Sequence, residues 1–289
     1  MIIGVPSGIG DISWAYSKLC HVGQLDYEIA TGWPFRADEY MKMLPGVRVV
    51  MYGDFSFDEI VAFEQVQLKI GNGMVTWQAV KDSGYGRVLL QPNHHLERGI
   101  PLQRWMPDLE TDYHYPMNIP QTAVATAESL LFGVPRRETL VGISCASYRG
   151  AKAWKTWELL EWTDFCKTLL AEGFGLIFLG GRWDDLTDAV ALEFTEWPNL
   201  VGKTSFATAC ALHQMVPWYV GFSSGLGIIR TVLRQNCMML WPEHQQPLST
   251  SWADPEDLET RRYVVSPYVA LNTVTKIFLR HAKETQNGE

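Results

Sequence analysis

The sequence predicts an α/β protein built on parallel, doubly wound sheets and divided into two domains. Three observations carry this. The short apolar runs Ile2 to Val5, Val141 to Ser144, Phe174 to Leu179, Trp218 to Phe222 and Cys237 to Leu240 have the composition of strands buried on both faces. Several of them run into glycine, serine or aspartate and then into helical spacing, the strand–turn–helix order of a crossover unit. The chain has 289 residues, 47% hydrophobic and 19% charged, with 12 Trp, which is ample core material for two medium domains.

The formal net charge of −8 argues against a general nucleic-acid or membrane-surface binder, whose footprint would be basic, while leaving room for a local basic groove. The five Cys form no C-x-x-C pair, so neither a structural zinc site nor a disulfide framework is expected. They read as small core residues of a reducing compartment. The first residues, MIIGVPSGIGD, lack the basic flank and apolar run of a signal peptide, and no stretch approaches a membrane span. A cytoplasmic protein is expected.

Taken in order, Ile2 to Val5 is a buried strand bounded by Pro6 and Gly8. Gly8 and Gly10 permit a tight turn, and Asp11 precedes the helical pattern Ile12, Ala15, Tyr16, Leu19. Asp11 has two readings: a helix N-cap, or a carboxylate at the mouth of a cleft able to take a proton from a hydroxyl. Leu25 to Ala30, Val47 to Met51 and Arg87 to Gln91 are further strands, with helices over Arg36 to Met43 and Phe57 to Ile70. Pro92 to Pro120 carries five prolines with His94, His95, Arg98, Arg104, Trp105 and Tyr113. It reads either as a surface excursion or as an acceptor-binding region in which His94 and Trp105 offer a polar group and an aromatic platform. The adjacent His pair lacks a companion at ligand spacing, so no metal site is expected there. A helix over Gln121 to Phe132 is followed by an exposed linker near Val134 to Thr139, where the domain boundary is placed. The expected domains are 1–136 and 137–270, with 271–289 as a C-terminal helix and tail returning to the first domain.

The second half opens on VGISCASYRGAKAWKTW, Val141 to Trp157: a buried strand, a small basic loop with Arg149, Lys152 and Lys155, then a helix. An open α/β sheet binds ligands at such carboxyl ends, where a phosphate meets unpaired N–H groups and a helix dipole. The helix Thr156 to Glu172, the strand Phe174 to Leu179 and the turn Gly180-Gly181 follow. Asp184 and Asp185 open the next helix, either as ribose acceptors or as favourable first-turn charge. A short strand over Asn199 to Val201, a helix from Ser205 to His213 and the strand Trp218 to Phe222 lead to Ser223-Ser224-Gly225-Leu226-Gly227, whose hydroxyls and bare N–H groups suit phosphate oxygens. After Cys237 to Leu240 the stretch Gln245 to Pro267 is polar and proline-punctuated, and helical spacing resumes over Leu271 to His281.

Together these motifs resemble the heptosyltransferase family, glycosyltransferase family 9, of GT-B architecture. The resemblance rests on GIGD (Gly8 to Asp11), SYRGAKAW (Ser147 to Trp154), IFLGG (Ile177 to Gly181), NLVGKTS (Asn199 to Ser205) and VGFSSG (Val220 to Gly225). It covers nearly all of the second half, and the first half mainly at its opening. It implies two Rossmann-like domains facing across a cleft, with the acceptor on the first and a nucleotide-sugar donor on the second. By the same resemblance, Asp11 is the catalytic base and Lys152 the cation on the donor diphosphate. Gly10, Ser147, Gly181, Asp184 or Asp185, Ser223, Ser224 and Gly225 line the donor, and Gly8 the acceptor. The implied reaction is an inverting transfer with no resident cofactor. The sequence contains no D-x-D motif to hold a metal, so a metal-independent reaction is expected. Two positions depart from the family: Ser223 stands where it usually has Asp, and Ile228 where it has His. The expected function is therefore a glycosyltransferase acting on a glycan or glycolipid, with the donor sugar open. Hydroxylated bases in DNA are an alternative acceptor, served by a basic cleft of Arg87, Arg98, Arg104, Arg136, Arg137, Arg149 and Lys155. A degenerate nucleotide-binding module without catalysis is a third reading.

Overall fold

The computed structural model describes residues 1–6, 8–22, 28–31, 34–47, 49–51, 76–146, 157–267 and 269–287. The helix expected over Phe57 to Ile70 and the loop carrying Ser147, Arg149, Lys152 and Lys155 lie outside them. The chain divides into two compact units, Met1–Asn118 with Pro247–Ala253, and Ile119–Gln246 with Asp254–Glu289.

The first unit holds a sheet of four parallel strands in the order β3-β2-β1-β4. The strands are β1 (Ile2–Val5), β2 (Glu28–Thr31), β3 (Val49–Met51) and β4 (Arg87–Leu89). Its helices are α1 (Ile9–Leu19), α2 (Pro34–Met43), α3 (Trp77–Asp82) and the short α4 (Asn93–Leu96). Ile3, Val5, Ile12, Ala15, Leu19, Ile29, Val88 and Leu90 are buried between sheet and helices. The register pairs Ile2 with both Glu28 and Arg87, so β1 is central. Strand order reverses between β1 and β4, which makes the carboxyl ends of these two strands the topological switch point.

The Pro92 to Pro120 excursion is packed rather than loose. Trp105, Met106 and Tyr115 are buried. The Lys18 amine donates to the carbonyls of Gln103 (3.3 Å) and Leu109 (3.0 Å), and burial pushes it down to about 8. Ser13, Tyr40 and Tyr115 form a buried hydroxyl chain that ties α1 and α2 to this segment. The Trp105 ring is therefore core of the first unit, and this explains its burial without a ligand.

The second unit holds five parallel strands in the order β6-β5-β7-β8-β9. They are β5 (Leu140–Ser144), β6 (Gly175–Phe178), β7 (Trp218–Phe222), β8 (Cys237–Trp241) and β9 (Tyr263–Pro267). Its helices are α5 (Gln121–Leu131), α6 (Leu159–Ala171), α7 (Asp185–Leu192), α8 (Phe206–Met215) and α9 (Gly225–Val232). Beyond them come α10 (Gln246–Ser251), most of which belongs to the first unit, α11 (Pro255–Glu259) and α12 (Leu271–Asn287). Here the switch point falls between β5 and β7.

Five expectations differ from this. The contacts divide the chain after Asn118, not near Val134 to Thr139, because α5 packs on α8 of the second unit. Arg136 is no free linker residue: it takes a left-handed φ of 54°, and its guanidinium holds the carbonyls of Leu170 (3.1 Å) and Phe174 (2.8 Å). The C-terminal helix α12 also stays with the second unit, where Phe278 meets Phe165, Phe174 and Trp218. The strand expected at Asn199 to Val201 is a single bridge, Asn199 to Phe178. Conversely, β9 lies within the polar, proline-punctuated stretch Gln245 to Pro267, whose composition predicts no strand.

Arg230 of α9 is fully buried. Its Nε donates to the Asn236 carbonyl (3.0 Å), Nη2 to that of Pro217 (2.6 Å) and Nη1 to that of His213. Replacing Arg230 with Met would fill much of the volume but leave all three carbonyls without this donor. Arg230→Met is expected to lower stability by about 3 kcal/mol, read from the denaturant midpoint of the intact chain; an unchanged midpoint would contradict this account of α9.

Candidate functional site

In the first unit, the switch point is occupied by the start of α1 and by α4, which follow the adjacent strands β1 and β4. The N-cap of α1 is Gly8, so Gly10 and Asp11 lie inside its first turn. Asp11 is thus not the cap, which removes the structural reading of it. Its Oδ1 is buried and has no hydrogen-bond partner among the described residues. Burial first, then the charge of Glu97 at the end of α4, raise its pKa to about 7, against a smaller lowering by its own backbone N–H. Gly8 has a steric role here: a Cβ at that position would stand 2.6 Å from Asp11 Oδ2. A side chain at position 8 would push the Asp11 carboxylate out of this place.

Three more buried polar atoms on these elements lack a partner among the described residues: Trp14 Nε1 on α1, and Asn93 Oδ1 and His95 Nδ1 on α4. A buried polar atom without a partner is costly, so four of them on two elements at one switch point mark polar surface held ready for a ligand. Of the adjacent histidines, His95 is the buried one and His94 is exposed. Burial, then Arg98 and His94, lower the pKa of His95, so it stays neutral. The sequence pointed to the proline-rich segment but chose the outward-facing His94. The missed signal was a run of polar residues, Asn93 to His95, directly after the carboxyl end of β4.

In the second unit, β7 ends at Phe222 and α9 begins at Gly225. Ser223 is buried, and its hydroxyl has no partner among the described residues. The N-cap Ser224 makes no side-chain cap; its hydroxyl lies 3.4 Å from the buried Tyr219 hydroxyl instead. The first turn of α9 thus presents backbone N–H groups and the positive end of the helix at the β5/β7 switch point, beside an unengaged Ser223 hydroxyl. Gly225 is the first residue of that turn. Gly227 seats the helix, because a Cβ there would collide with Met239 of β8. Ser147 and Lys152, expected beside this site, are in the loop outside the described residues.

The neighbouring aspartates after β6 separate cleanly. Asp184 is buried and caps α7: Oδ1 accepts from the Thr187 N–H (3.0 Å), and Oδ2 from the Thr187 hydroxyl (2.7 Å). Thr187 Oγ1 in turn accepts from the Cys145 N–H at the end of β5 (2.7 Å). Burial raises Asp184 to about 6 although the Thr187 hydrogen bonds oppose this. Asp184 is committed to holding α7 to β5, whereas Asp185 is exposed and offers its carboxylate to solvent. Gly181 is covered by the Trp183 ring, which leaves no room for a side chain.

No protein-family model matches this sequence, and no curated protein does. Solved structures match it along its whole length. Escherichia coli ADP-heptose lipopolysaccharide heptosyltransferase II superposes with a TM-score of 0.64 at 13% identity, covering 99% of both chains. A glycosyl transferase family 9 protein of Veillonella parvula gives 0.62 at 12%, covering 92% of this chain and 85% of that one. Escherichia coli heptosyltransferase WaaC, solved with ADP, gives 0.58 at 14%, covering 97% and 100%. The chain shares the heptosyltransferase fold. At this identity the likeness is one of architecture, GT-B with two Rossmann-like units, as the sequence motifs implied.

The two aspartates give a direct check on the second site. Asp184→Ala is expected to cost about 1–2 kcal/mol of stability through the lost cap. Asp185→Ala should leave the melting temperature within about 1 °C while weakening any nucleoside ligand. Equal melting temperatures for the two variants would contradict this assignment.

Proposed function

We propose that the chain is an inverting glycosyltransferase that moves a hexose or heptose from a nucleotide-diphosphate donor to a hydroxyl of a glycan or glycolipid, without a metal at the reacting centre. The observation that carries this reading is the α9 N-terminus at the β5/β7 switch point, with no side-chain cap from Ser224 and with the buried Ser223 hydroxyl unpartnered. An anion with several oxygens, such as a diphosphate, satisfies these groups together. The heptosyltransferase fold, and its occurrence with ADP in WaaC, support the same donor class.

Each group then has a task. Asp11 Oδ1 accepts the proton of the acceptor hydroxyl as that oxygen attacks the anomeric carbon, and Asn93, His95 and Trp14 hold polar parts of the acceptor. The C–O bond to the diphosphate breaks on the opposite face, so the anomeric centre inverts. The N–H groups of α9 and the Ser223 hydroxyl receive the charge that develops on the leaving diphosphate, and Lys152 adds a cation there by the family resemblance. Asp185 takes the ribose hydroxyls in place of the committed Asp184. Ser223 in place of Asp removes a negative charge next to the diphosphate, which favours its approach. On the acceptor side, the basic cleft needed for DNA loses Arg136, whose guanidinium is occupied with backbone carbonyls. This favours the glycan reading.

Thermal shift of the intact chain against adenosine, guanosine, uridine and cytidine diphosphates and their sugars tests the donor site. A ligand at one hundred times its Kd adds about 2.7 kcal/mol, so the correct base should give a clear and selective rise. No rise with any of them, in a folded sample, would overturn the reading.

With the donor known, the pH profile tests the base. The Asp11 carboxyl, raised to about 7, must be ionised to accept a proton. Turnover should therefore be low below pH 6, rise through about pH 7 and level off above. Asp11→Asn should reduce kcat by about 10²-fold or more and leave the nucleotide shift intact. Full activity in that variant, or a flat profile from pH 5 to 8, would remove Asp11 from the mechanism.

A further inference from the structure

At the far end of α1, away from Asp11, three different ligand types converge. Cys20 is the C-cap of the helix, His21 follows it, and Asp112 is brought in from the Pro92 to Pro120 segment. One ligand atom from each, the Cys20 sulfur, a His21 ring nitrogen and an Asp112 oxygen, all lie within 4.8 Å of one another. His21 Nε2 and Asp112 Oδ2 are 3.9 Å apart. We propose that Cys20, His21 and Asp112 form a binding site for a thiolate-seeking divalent ion of the zinc class, held by three protein ligands with a fourth position open to water.

The geometry suits such an ion. An ion at the centre of a triangle with sides of 4.8 Å is about 2.8 Å from each corner, and at the centre of one with 3.9 Å sides about 2.3 Å. At the wider limit the donors need to close by about 0.5–0.8 Å to reach ordinary zinc distances. The ligands are also positioned by their neighbours, as in established metal sites. The Asp112 N–H donates to the Ser17 carbonyl (2.8 Å), which locks the segment to α1. Asp112 Oδ1 accepts from the His114 N–H (2.9 Å), so Oδ2 is the oxygen turned to His21. His21 and Asp112 are accessible, with side-chain exposures of 47% and 30%, which provides an entry path.

The donor set selects the metal. One sulfur, one imidazole nitrogen and one carboxylate oxygen suit zinc or cobalt and disfavour magnesium and calcium, which take oxygen ligands. Without an ion the Cys20 thiol keeps its proton and donates it to the Ser17 carbonyl (3.7 Å). Burial, with Asp112 second, pushes this thiol up to about 12. The incoming cation displaces that proton to solvent, and its charge offsets those of the Cys20 thiolate and the Asp112 carboxylate. Nine residues of helix at 1.5 Å each put this site about 13 Å along α1 from Asp11, so the ion has no part in the transfer chemistry. Its effect is to pin the C-terminal end of α1 to the segment wrapped around it.

The other four cysteines are buried, so a thiolate-to-metal band reports on Cys20. Untagged, full-length chain titrated with Co²⁺ should take up one equivalent, develop a sulfur-to-cobalt charge-transfer absorption, and lose it on addition of Zn²⁺. Zn²⁺ should raise the melting temperature, and Mg²⁺ and Ca²⁺ should not. Cys20→Ser should abolish the band, and His21→Ala, at an exposed position, should weaken binding at least about 10-fold without lowering the metal-free melting temperature. No charge-transfer band, a band that survives Cys20→Ser, or undiminished affinity in His21→Ala would each overturn the proposal.

Discussion

The second unit depends on one buried cation. A guanidinium inside a protein is tolerated only when its N–H groups are used, and those of Arg230 reach the carbonyls of His213, Pro217 and Asn236. These carbonyls belong to the end of α8, the residue before β7 and the residue before β8. One side chain of α9 therefore fixes that helix against the strand it follows and the strand it precedes. Burial lowers Arg230 only to about 10, so it keeps its charge. The same burial, with Arg230 as the second cause, pushes the ring of His213 down to about 3, so no competing positive charge forms beside the guanidinium near neutral pH. Gly227 completes the arrangement by letting the helix backbone approach Met239. The N-terminus of α9 is thus placed by interactions that need no ligand. Such preorganisation is what lets backbone N–H groups act on charge that forms only during a reaction.

The two units apply one topological rule to opposite chemistry. Strand order reverses between β1 and β4 in the first and between β5 and β7 in the second, and the carboxyl ends at each reversal leave a crevice. At the first, the leftover groups centre on a carboxylate with basic character. At the second, they are N–H groups, a hydroxyl and a helix dipole. The proposed transfer calls for both kinds, one to remove a proton and one to receive an anion. Few side chains are needed for this, because the strands and helix ends provide most of the positioning.

Much of this architecture is legible in the sequence, because a strand buried on both faces must be apolar throughout and its crossover needs small residues. Leu140–Ser144, Trp218–Phe222 and Cys237–Trp241 announce themselves in that way. Tyr263–Pro267 does not: it follows Arg261 and Arg262, ends in proline, and pairs only with β8 at the edge of the sheet, where a mixed composition is allowed. The site is legible at the level of segments and less so at the level of side chains. Asp184 and Asp185 are chemically identical and adjacent, and only the helix start, which makes Asp184 the cap, decides which carboxylate is consumed. His94 and His95 differ in the same way, by which face of a four-residue helix turns inward. Trp105 looked like a stacking platform because its neighbours are polar and proline-rich, yet the segment folds back on α1 and buries it.

Asp11 shows how a displacement of three residues changes chemistry. An aspartate after a strand and just before a helical pattern resembles an N-cap, and a capping carboxylate is stabilised in its charged form by the N–H groups it accepts from. Its pKa would then be lowered and its power as a base at neutral pH weakened. Here the helix begins at Ile9 with Gly8 as its cap, so the capping position is filled by a residue without a side chain and Asp11 stands inside the first turn. Its Oδ1 is left buried and unpaired, and burial together with Glu97 outweighs the single lowering contribution from its own backbone. The absent side chain at Gly8 serves twice, since it forgoes a cap and leaves the space that Asp11 Oδ2 fills. The raised pKa of this carboxylate therefore goes with its place in the first turn, buried and facing the charge of Glu97, rather than at the cap.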